Sequence, residues 1–181
     1  MSEVKIETST GILFDLLEPT WHMIRITDIA HSLSQINRFT GHCKFPYPVA
    51  QHSRLGSYLV PKQFALRFLL HDASEAYLTD MNRPLKHFTP VGAEYRKIEG
   101  PLQSKLYARF GIYGPDPECI HDIDNQMLYA EKAQLMAGAA WNHKWSADRK
   151  AADVTIEETT FQENKYLFLK RFHELFNLIG E

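Results

Sequence analysis

The hydrophobic period of the chain changes near residue 26. Over residues 4–16 apolar and polar positions alternate as Val4-Lys5-Ile6-Glu7-Thr8, Ser9-Thr10-Gly11 supplies a turn, and Ile12-Leu13-Phe14 returns. Period-two alternation around a glycine turn predicts a short β-hairpin, which places an N-terminal hairpin unit within residues 1–20. Glu18-Pro19 breaks the pattern. From there the apolar positions Ile26, Ile29, Leu33 and Ile36 recur at three- and four-residue steps, the signature of one helix face. Gly41, Pro46 and Pro48 mark a loop over 40–48. Further helices are predicted over 49–59, stopping at Pro61, and over 64–77. Pro84 and Pro90 bracket an irregular stretch. A helix over 91–110 carries Tyr95, Ile98, Leu102, Leu106 and Phe110, and a turn-rich connection follows over 111–117. The next helix, over 120–137, uses Ile123, Met127, Leu128 and Leu135. A small, polar stretch over 138–155 reads as a loop, and a last helix over 157–178 buries Phe161, Leu167, Phe168, Phe172, Leu175 and Phe176. The expected fold is all-α: one domain, 1–181, of about six helices with a short N-terminal β-hairpin, whose core spans 26–137.

Composition narrows the function classes. The chain has 181 residues, 44% hydrophobic and 23% charged, with a net charge of -2. This is ordinary for a globular domain able to bury a full core. The charge balance offers no footprint for a nucleic-acid polymer or a membrane surface. No apolar run approaches the roughly 20 residues of a membrane span, and Met1-Ser2-Glu3-Val4-Lys5-Ile6-Glu7 has no apolar signal region. Cys43 and Cys119 match no disulfide framework and no zinc ribbon. Reduced, packed cysteines and a cytoplasmic location are expected.

The chemistry concentrates after the apolar run Phe64-Ala65-Leu66-Arg67-Phe68-Leu69-Leu70. His71-Asp72 follows it directly, Glu75 comes one helical turn later, and Asp80 closes the segment. A nitrogen and a carboxylate oxygen from adjacent positions suit a divalent cation that still binds water. Adjacent helical residues project about 100° apart, so both reach one ion only from a helix edge facing a cavity. Other helices would have to complete the site. The chain has nine histidines, so spacing alone selects no ligand set; His52 or Asp124 read singly is as well a packed or surface residue. There is no glycine-rich phosphate loop and no dinucleotide fingerprint, which argues against an ATPase or an oxidoreductase.

Four blocks, taken together, carry a resemblance. They are Ile36-Asn37-Arg38-Phe39-Thr40-Gly41-His42; Val49-Ala50-Gln51-His52-Ser53; Leu70-His71-Asp72-Ala73-Ser74-Glu75-Ala76-Tyr77; and Asp80-Met81-Asn82-Arg83-Pro84-Leu85-Lys86. In order and spacing they closely resemble the HD-domain metal-dependent phosphohydrolases. Within these they look like the small branch of bacterial 5'-deoxynucleotidases and phage- or prophage-encoded enzymes acting on deoxynucleotides. The match runs from about Ile26 to Leu135. The resemblance implies His52, His71, Asp72 and Asp124 as metal ligands. Asp124 is preferred to Asp122 by the register of Ile120-His121-Asp122-Ile123-Asp124 with Met127, Leu128 and Glu131. It further implies Glu75 as the catalytic acid or base, Asp80 as a second acidic residue near the phosphate, and Arg38 as the phosphate-binding arginine. Phe39 is implied as a wall against the sugar, where the branch often carries tryptophan. Lys86 and Arg83 would add positive charge for a longer phosphate chain. Gly41, Cys43, Phe45 and Tyr47 would border the base pocket.

A mixed nitrogen and oxygen set suits Mn, Co, Fe, Ni or Zn ahead of Mg. The expected activity is hydrolysis of the ester at the 5'-oxygen of a deoxynucleotide, giving deoxynucleoside and phosphate from a monophosphate. Alternatives are a dATP-type triphosphohydrolase releasing triphosphate, a cyclic-nucleotide phosphodiesterase, and a non-catalytic metal-containing nucleotide sensor. A small-molecule deoxynucleotide is the expected partner, and a homo-oligomer, dimer or higher, the expected assembly.

Overall fold

The structure, a computed structural model, describes residues 4–137 and 150–177. The hairpin forms as the alternation predicts. Strands β1 (Lys5–Glu7) and β2 (Leu13–Asp15) pair antiparallel, with Ile6 opposite Phe14. Its turn is tied to the helical body by Asp28, whose carboxylate accepts hydrogen bonds from Thr8 Oγ1 (3.0 Å), Ser9 Oγ (2.6 Å), the Thr10 amide (2.9 Å) and Thr10 Oγ1 (2.7 Å). Phe14 turns inward and stacks on Tyr77 with ring centroids 3.8 Å apart.

The described residues contain eight α-helices: α1 (Ile26–Leu33), α2 (Val49–Gly56), α3 (Ala65–Leu69), α4 (Glu75–Leu78), α5 (Arg83–Phe88), α6 (Pro90–Arg109), α7 (Glu118–Leu135) and α8 (Phe161–Asn177). The all-α class and the hairpin hold. The buried core joins Ile29 and Leu33 of α1, Val49 and Ala50 of α2, Phe68 and Leu69 of α3, Leu102 and Leu106 of α6, Met127 of α7 and Phe168 of α8. Two helices approach closely at Gly56, where a Cβ would meet the Phe68 ring at 2.1 Å. That bare backbone lets the Phe68 ring seat beneath α2, with His52 one turn away.

Eight helices replace the expected six for identifiable reasons. The stretch predicted as one helix over 64–77 is two, because the backbone leaves helical geometry at Leu70 (φ -107°, ψ 7°). Tight turns carry the chain across the gap: the Ala73 amide bonds Leu70 O (3.0 Å) and the Glu75 amide bonds Asp72 O (3.0 Å). Gln103 of α6 spans the break, accepting from the Ser74 amide (2.9 Å) and donating to Leu70 O (2.7 Å). Such side-chain partners satisfy the backbone groups that a helix end leaves open. The supposedly irregular stretch between Pro84 and Pro90 contains α5. Proline is tolerated in a first helical turn, where its missing N–H costs nothing, and Asn82 Oδ1 caps this helix by accepting from the Leu85 amide (3.1 Å).

The last helix begins at Phe161, not near 157, because Thr160 and Glu163 cap each other reciprocally. Residue 178 of that predicted helix, residues 1–3, and 138–149 of the predicted loop lie outside the described residues. Residues 150–160 carry no regular element, as expected over 150–155, and run beside α7: the Ala152 amide bonds Gln126 O (2.9 Å) and the Ile156 amide bonds Gln134 Oε1 (3.0 Å). No helix among the described residues is long and apolar enough to cross a membrane.

Candidate metal centre

The break after α3 places His71 and Asp72 in a non-helical turn, correcting the expectation that they lie within a helix. This removes the 100° constraint, and both side chains reach the same point as His52 of α2. The His71 Nε2 to Asp72 Oδ2 distance is 3.2 Å, His52 Nε2 to His71 Nε2 is 3.4 Å, and His52 Nε2 to Asp72 Oδ2 is 3.7 Å. These three residues could together hold a metal ion. Asp124 of α7 joins them, its Oδ1 3.3 Å from His52 Nε2 and 3.8 Å from His71 Nε2. Asp122, the other aspartate of that segment, is exposed.

Three of the five donor separations, 3.2–3.4 Å, match the edges of a coordination polyhedron, and the other two, 3.7 and 3.8 Å, are slightly wider. Bonds of about 2.1 Å at about 90–110° set neighbouring donors about 3.0–3.4 Å apart. The tautomers suit it as well. His71 Nδ1 lies 2.7 Å from Phe68 O, a carbonyl that can only accept, so Nδ1 carries the proton and Nε2 keeps its lone pair. His52 Nδ1 lies 2.5 Å from Glu131 Oε1, with the same consequence. Ligating histidines are oriented in this way by a partner on the second ring nitrogen. By donor type, donor spacing and tautomer, the cluster fits a divalent cation.

Arg38 enters from the loop between α1 and α2. Its amide bonds Tyr47 O (2.9 Å) and the Val49 amide bonds Ile36 O (2.9 Å), which closes the loop and seats Arg38 beside His52. The following residues Phe39 and Thr40 adopt left-handed backbone (φ 55° and 54°), as does Gly41 (φ 78°). Non-glycine residues in that region cost about 1–3 kcal/mol each, so the closed loop must impose the turn. Arg38 Nε and Nη2 grip Glu131 Oε2 at 3.2 and 3.1 Å, and Nη1 lies 3.6 Å from Asp72 Oδ2. The Nε and Nη2 edge of the guanidinium thus faces Glu131, and Nη1 faces Asp72. Phe39 lies beside Arg38, with the guanidinium carbon 5.7 Å from its ring centroid. Gly41 is exposed, whereas Tyr47 is fully buried and packs with Phe39, Cys43 and Phe45.

Glu75 opens α4 and is 4% exposed. Its Oε2 is buried with no hydrogen-bond partner. Burial, reinforced by the negative charge of Asp72 and Asp80, lifts its carboxyl well above the ordinary range, which favours its protonated form. Asp80 is also raised by burial and by Asp72, against the pull of Arg38. It follows Thr79, whose backbone is left-handed in φ (73°).

Asp124 goes the opposite way. Burial would raise it, but the neighbouring His52 and His71 hold its carboxyl well below the usual range. Lys86 of α5 pairs with Glu99 at 2.6 Å, and its charge is felt at Glu75 and Asp80. Arg83 turns instead toward α7 and donates to Asn125 Oδ1 (3.1 Å).

Glu131 is the residue whose part the sequence did not disclose. Its signal was nonetheless present: seven positions after Asp124, it stands on the same helix face as that aspartate and among the apolar positions Met127, Ala130 and Leu135. A charged residue on a buried stripe asks for an explanation.

No protein-family model matches the chain. The uncharacterized protein YfdR of Escherichia coli K12 is 45% identical over 112 residues, which cover 62% of this chain and 61% of that protein. The match therefore spans less than two thirds of that relative's length. A 5'-deoxynucleotidase of Vibrio parahaemolyticus is 26% identical over 173 residues, covering 87% of this chain and 80% of that protein. The 5'-deoxynucleotidase YfbR of Salmonella typhi is 26% identical over 156 residues, covering 82% and 64%. The likeness to the 5'-deoxynucleotidase branch read from the four sequence blocks is borne out by these relatives.

Proposed function

We propose that this chain is a metal-dependent phosphohydrolase that cleaves the phosphate ester at the 5'-oxygen of a deoxynucleotide, giving deoxynucleoside and phosphate from a deoxynucleoside monophosphate. The observation that carries this reading is a convergence. Two imidazole nitrogens and two carboxylates meet at one point, a guanidinium stands beside them, and a buried carboxyl without a partner adjoins. Relatives named 5'-deoxynucleotidase supply the substrate class.

His52, His71, Asp72 and Asp124 would hold the cation, with Mn, Co, Fe, Ni or Zn favoured over Mg by the donor set. When bound, a divalent cation supplies polarisation of the phosphoryl group and activation of water. The chain's own residues do the rest. The free N–H groups of Arg38 bind phosphoryl oxygens and offset the charge that builds as the ester breaks. Water attacks phosphorus, the bond from phosphorus to the 5'-oxygen breaks, and the proton on Glu75 passes to the departing oxygen. Asp80 is the second acid beside the phosphate, and Phe39 walls the sugar. Gly41 borders the loop facing the base, and Lys86 adds positive charge at the α5 side.

The reading takes residues 1–181 as one catalytic domain, located in the cytoplasm and assembled as a homo-oligomer, for which light scattering is the check. The test of function is a panel of deoxy- and ribonucleoside mono-, di- and triphosphates, with each divalent metal and with chelator. Orthophosphate released from deoxynucleoside monophosphates, abolished by chelator, is the expected result. Intact triphosphate released from a triphosphate would move the assignment to a triphosphohydrolase. Metal binding without any turnover would move it to a sensor.

A further inference from the structure

The reaction outlined above makes no use of Glu131, although its carboxylate is fully buried and held by three different side chains. Its side chain is 0% exposed. Oε1 accepts from His52 Nδ1 (2.5 Å) and from the Tyr47 hydroxyl (2.9 Å), while Oε2 accepts from Arg38 Nε (3.2 Å) and is ion-paired with Nη2 (3.1 Å). A carboxylate offers about four lone-pair sites, and here three take hydrogen bonds while the Nη2 ion pair lies alongside. The partners come from three places in the chain: the closed loop after α1, the end of that loop at Tyr47, and α2. Asp124, seven residues earlier on the same helix, lies on the same face about 10 Å back along the axis. One face of α7 thus presents a carboxylate to the imidazole Nε2 of His52 and a second carboxylate to its Nδ1.

We infer that Glu131 is a positioning residue that sets the cation site and the phosphate clamp together, by fixing the His52 ring and the Arg38 fork on one carboxylate. The bond to Nδ1 keeps the His52 proton away from the centre and leaves Nε2 free to ligate. The hydrogen bond from Nε and the ion pair with Nη2 fix the guanidinium plane, so that Nη1 faces Asp72 and the incoming phosphate. Neither residue can shift without disturbing the other through their common partner. Glutamine does not replace it, because a Gln amide has one acceptor oxygen, and its NH2 group would face N–H or O–H donors. The inference rests on the proposed phosphohydrolase reading, yet its test requires no turnover.

The experiment compares Glu131→Gln and Tyr47→Phe with wild type in the full chain. Calorimetric titration with Mn2+ reports the cation site. Titration of the Mn2+-loaded protein with inorganic phosphate reports the clamp. Loss of an outer partner of a metal ligand costs about 10–100-fold in metal affinity. Glu131→Gln is expected to lose that much for Mn2+ and, at saturating Mn2+, about tenfold or more for phosphate. Tyr47→Phe, which leaves His52 and Arg38 bonded, is expected to change either affinity less than about threefold. A purely structural role would lower the melting temperature of Glu131→Gln and leave both affinities of the folded protein within twofold of wild type; that result overturns the inference. Should Glu131→Gln not fold, the wild-type protein still decides. With 15N-labelled histidine and Zn2+ bound, the His52 Nδ1 resonance is expected to be that of a protonated, pyrrole-type nitrogen, and an unprotonated Nδ1 overturns the inference. Failure of the nucleotide panel would sink the functional reading and leave these binding results standing.

Discussion

Two buried glutamates adjoin the same cluster and are treated in opposite ways. On the α2–α7 side, Glu131 accepts hydrogen bonds from Tyr47, His52 and Arg38. Burial would raise its carboxyl, but the charge of Arg38 and the hydrogen bonds from His52 and Tyr47 hold it below the ordinary range, and it stays an anion. On the α4–α5 side, Glu75 has an oxygen with no partner and two carboxylates nearby, and its proton is retained. The first arrangement fixes geometry. The second leaves a proton with nothing holding it, the condition for passing it to a leaving group. The surroundings differ in the same sense: Glu131 sits on a long helix with its neighbours packed, whereas Glu75 begins a one-turn helix leading into the exposed α5.

The largest effect that would break this comparison is at Glu75. Glu75→Gln keeps the shape and removes the mobile proton, so turnover should fall about 10²–10⁴-fold while metal content, measured by elemental analysis, stays at the wild-type level. Because the Glu75 carboxyl is raised, its protonated form persists above the ordinary glutamate range and is lost as pH climbs through the raised pKa. The rate at low substrate should therefore decline on the alkaline side, and in Glu75→Gln that limb should vanish from the pH profile. A variant with unchanged rate would remove the proton-donor role.

Arg38→Lys comes next. A lysine offers a point charge and cannot engage Glu131, Asp72 and a phosphate together, and turnover of deoxynucleoside monophosphate should drop about 10²–10³-fold.

A carboxylate away from the centre sharpens the rule that bonded carboxylates serve structure. Asp28 is as fully bonded as Glu131, but to the hairpin. Asp28→Ala should lower stability by about 2–3 kcal/mol in denaturant titration and leave turnover by the folded protein unchanged. Burial opposes the Asp28 charge, but the bonds from Ser9, Thr10 and Thr8 outweigh it and lower its pKa below the usual 3.8. With the folded value depressed, the stabilisation is complete above pH 3.8 and is lost as pH falls from there toward the folded value.

The smallest effect is expected at Lys86, already paired with Glu99. Lys86→Gln should raise KM less than about tenfold, ~1.4 kcal/mol.

How much of this was legible in the sequence follows from range of interaction. The hairpin, α1, α6 and α7 were readable because their periodicity is local and long enough to dominate. The break between α3 and α4 was not, since it depends on Gln103, some thirty residues further along, supplying the bonds that a continuous helix would have made internally. Helix α5 was missed because prolines were read as breakers without weighing the cap at Asn82. The start of α8 was legible in Thr160-Phe161-Gln162-Glu163, a capping-box spacing that the apolar stripe overshadowed.

At the centre, His71 and Asp72 announced themselves by adjacency. His52 and Asp124 did not, because nine histidines dilute any spacing argument; the family resemblance picked them out and the fold brings them together. The bonding of Glu131 was beyond reach of the sequence, since its partners lie 79 to 93 residues away.

The central claim is that one divalent cation is held where α2, the α3–α4 break and α7 converge. An anomalous difference map from crystals grown with Mn2+ tests it most directly. The account predicts a single strong peak within bonding distance of Nε2 of His52, Nε2 of His71 and carboxylate oxygens of Asp72 and Asp124. A map with no peak between these four side chains, or with Mn2+ bound elsewhere on the chain, would contradict it.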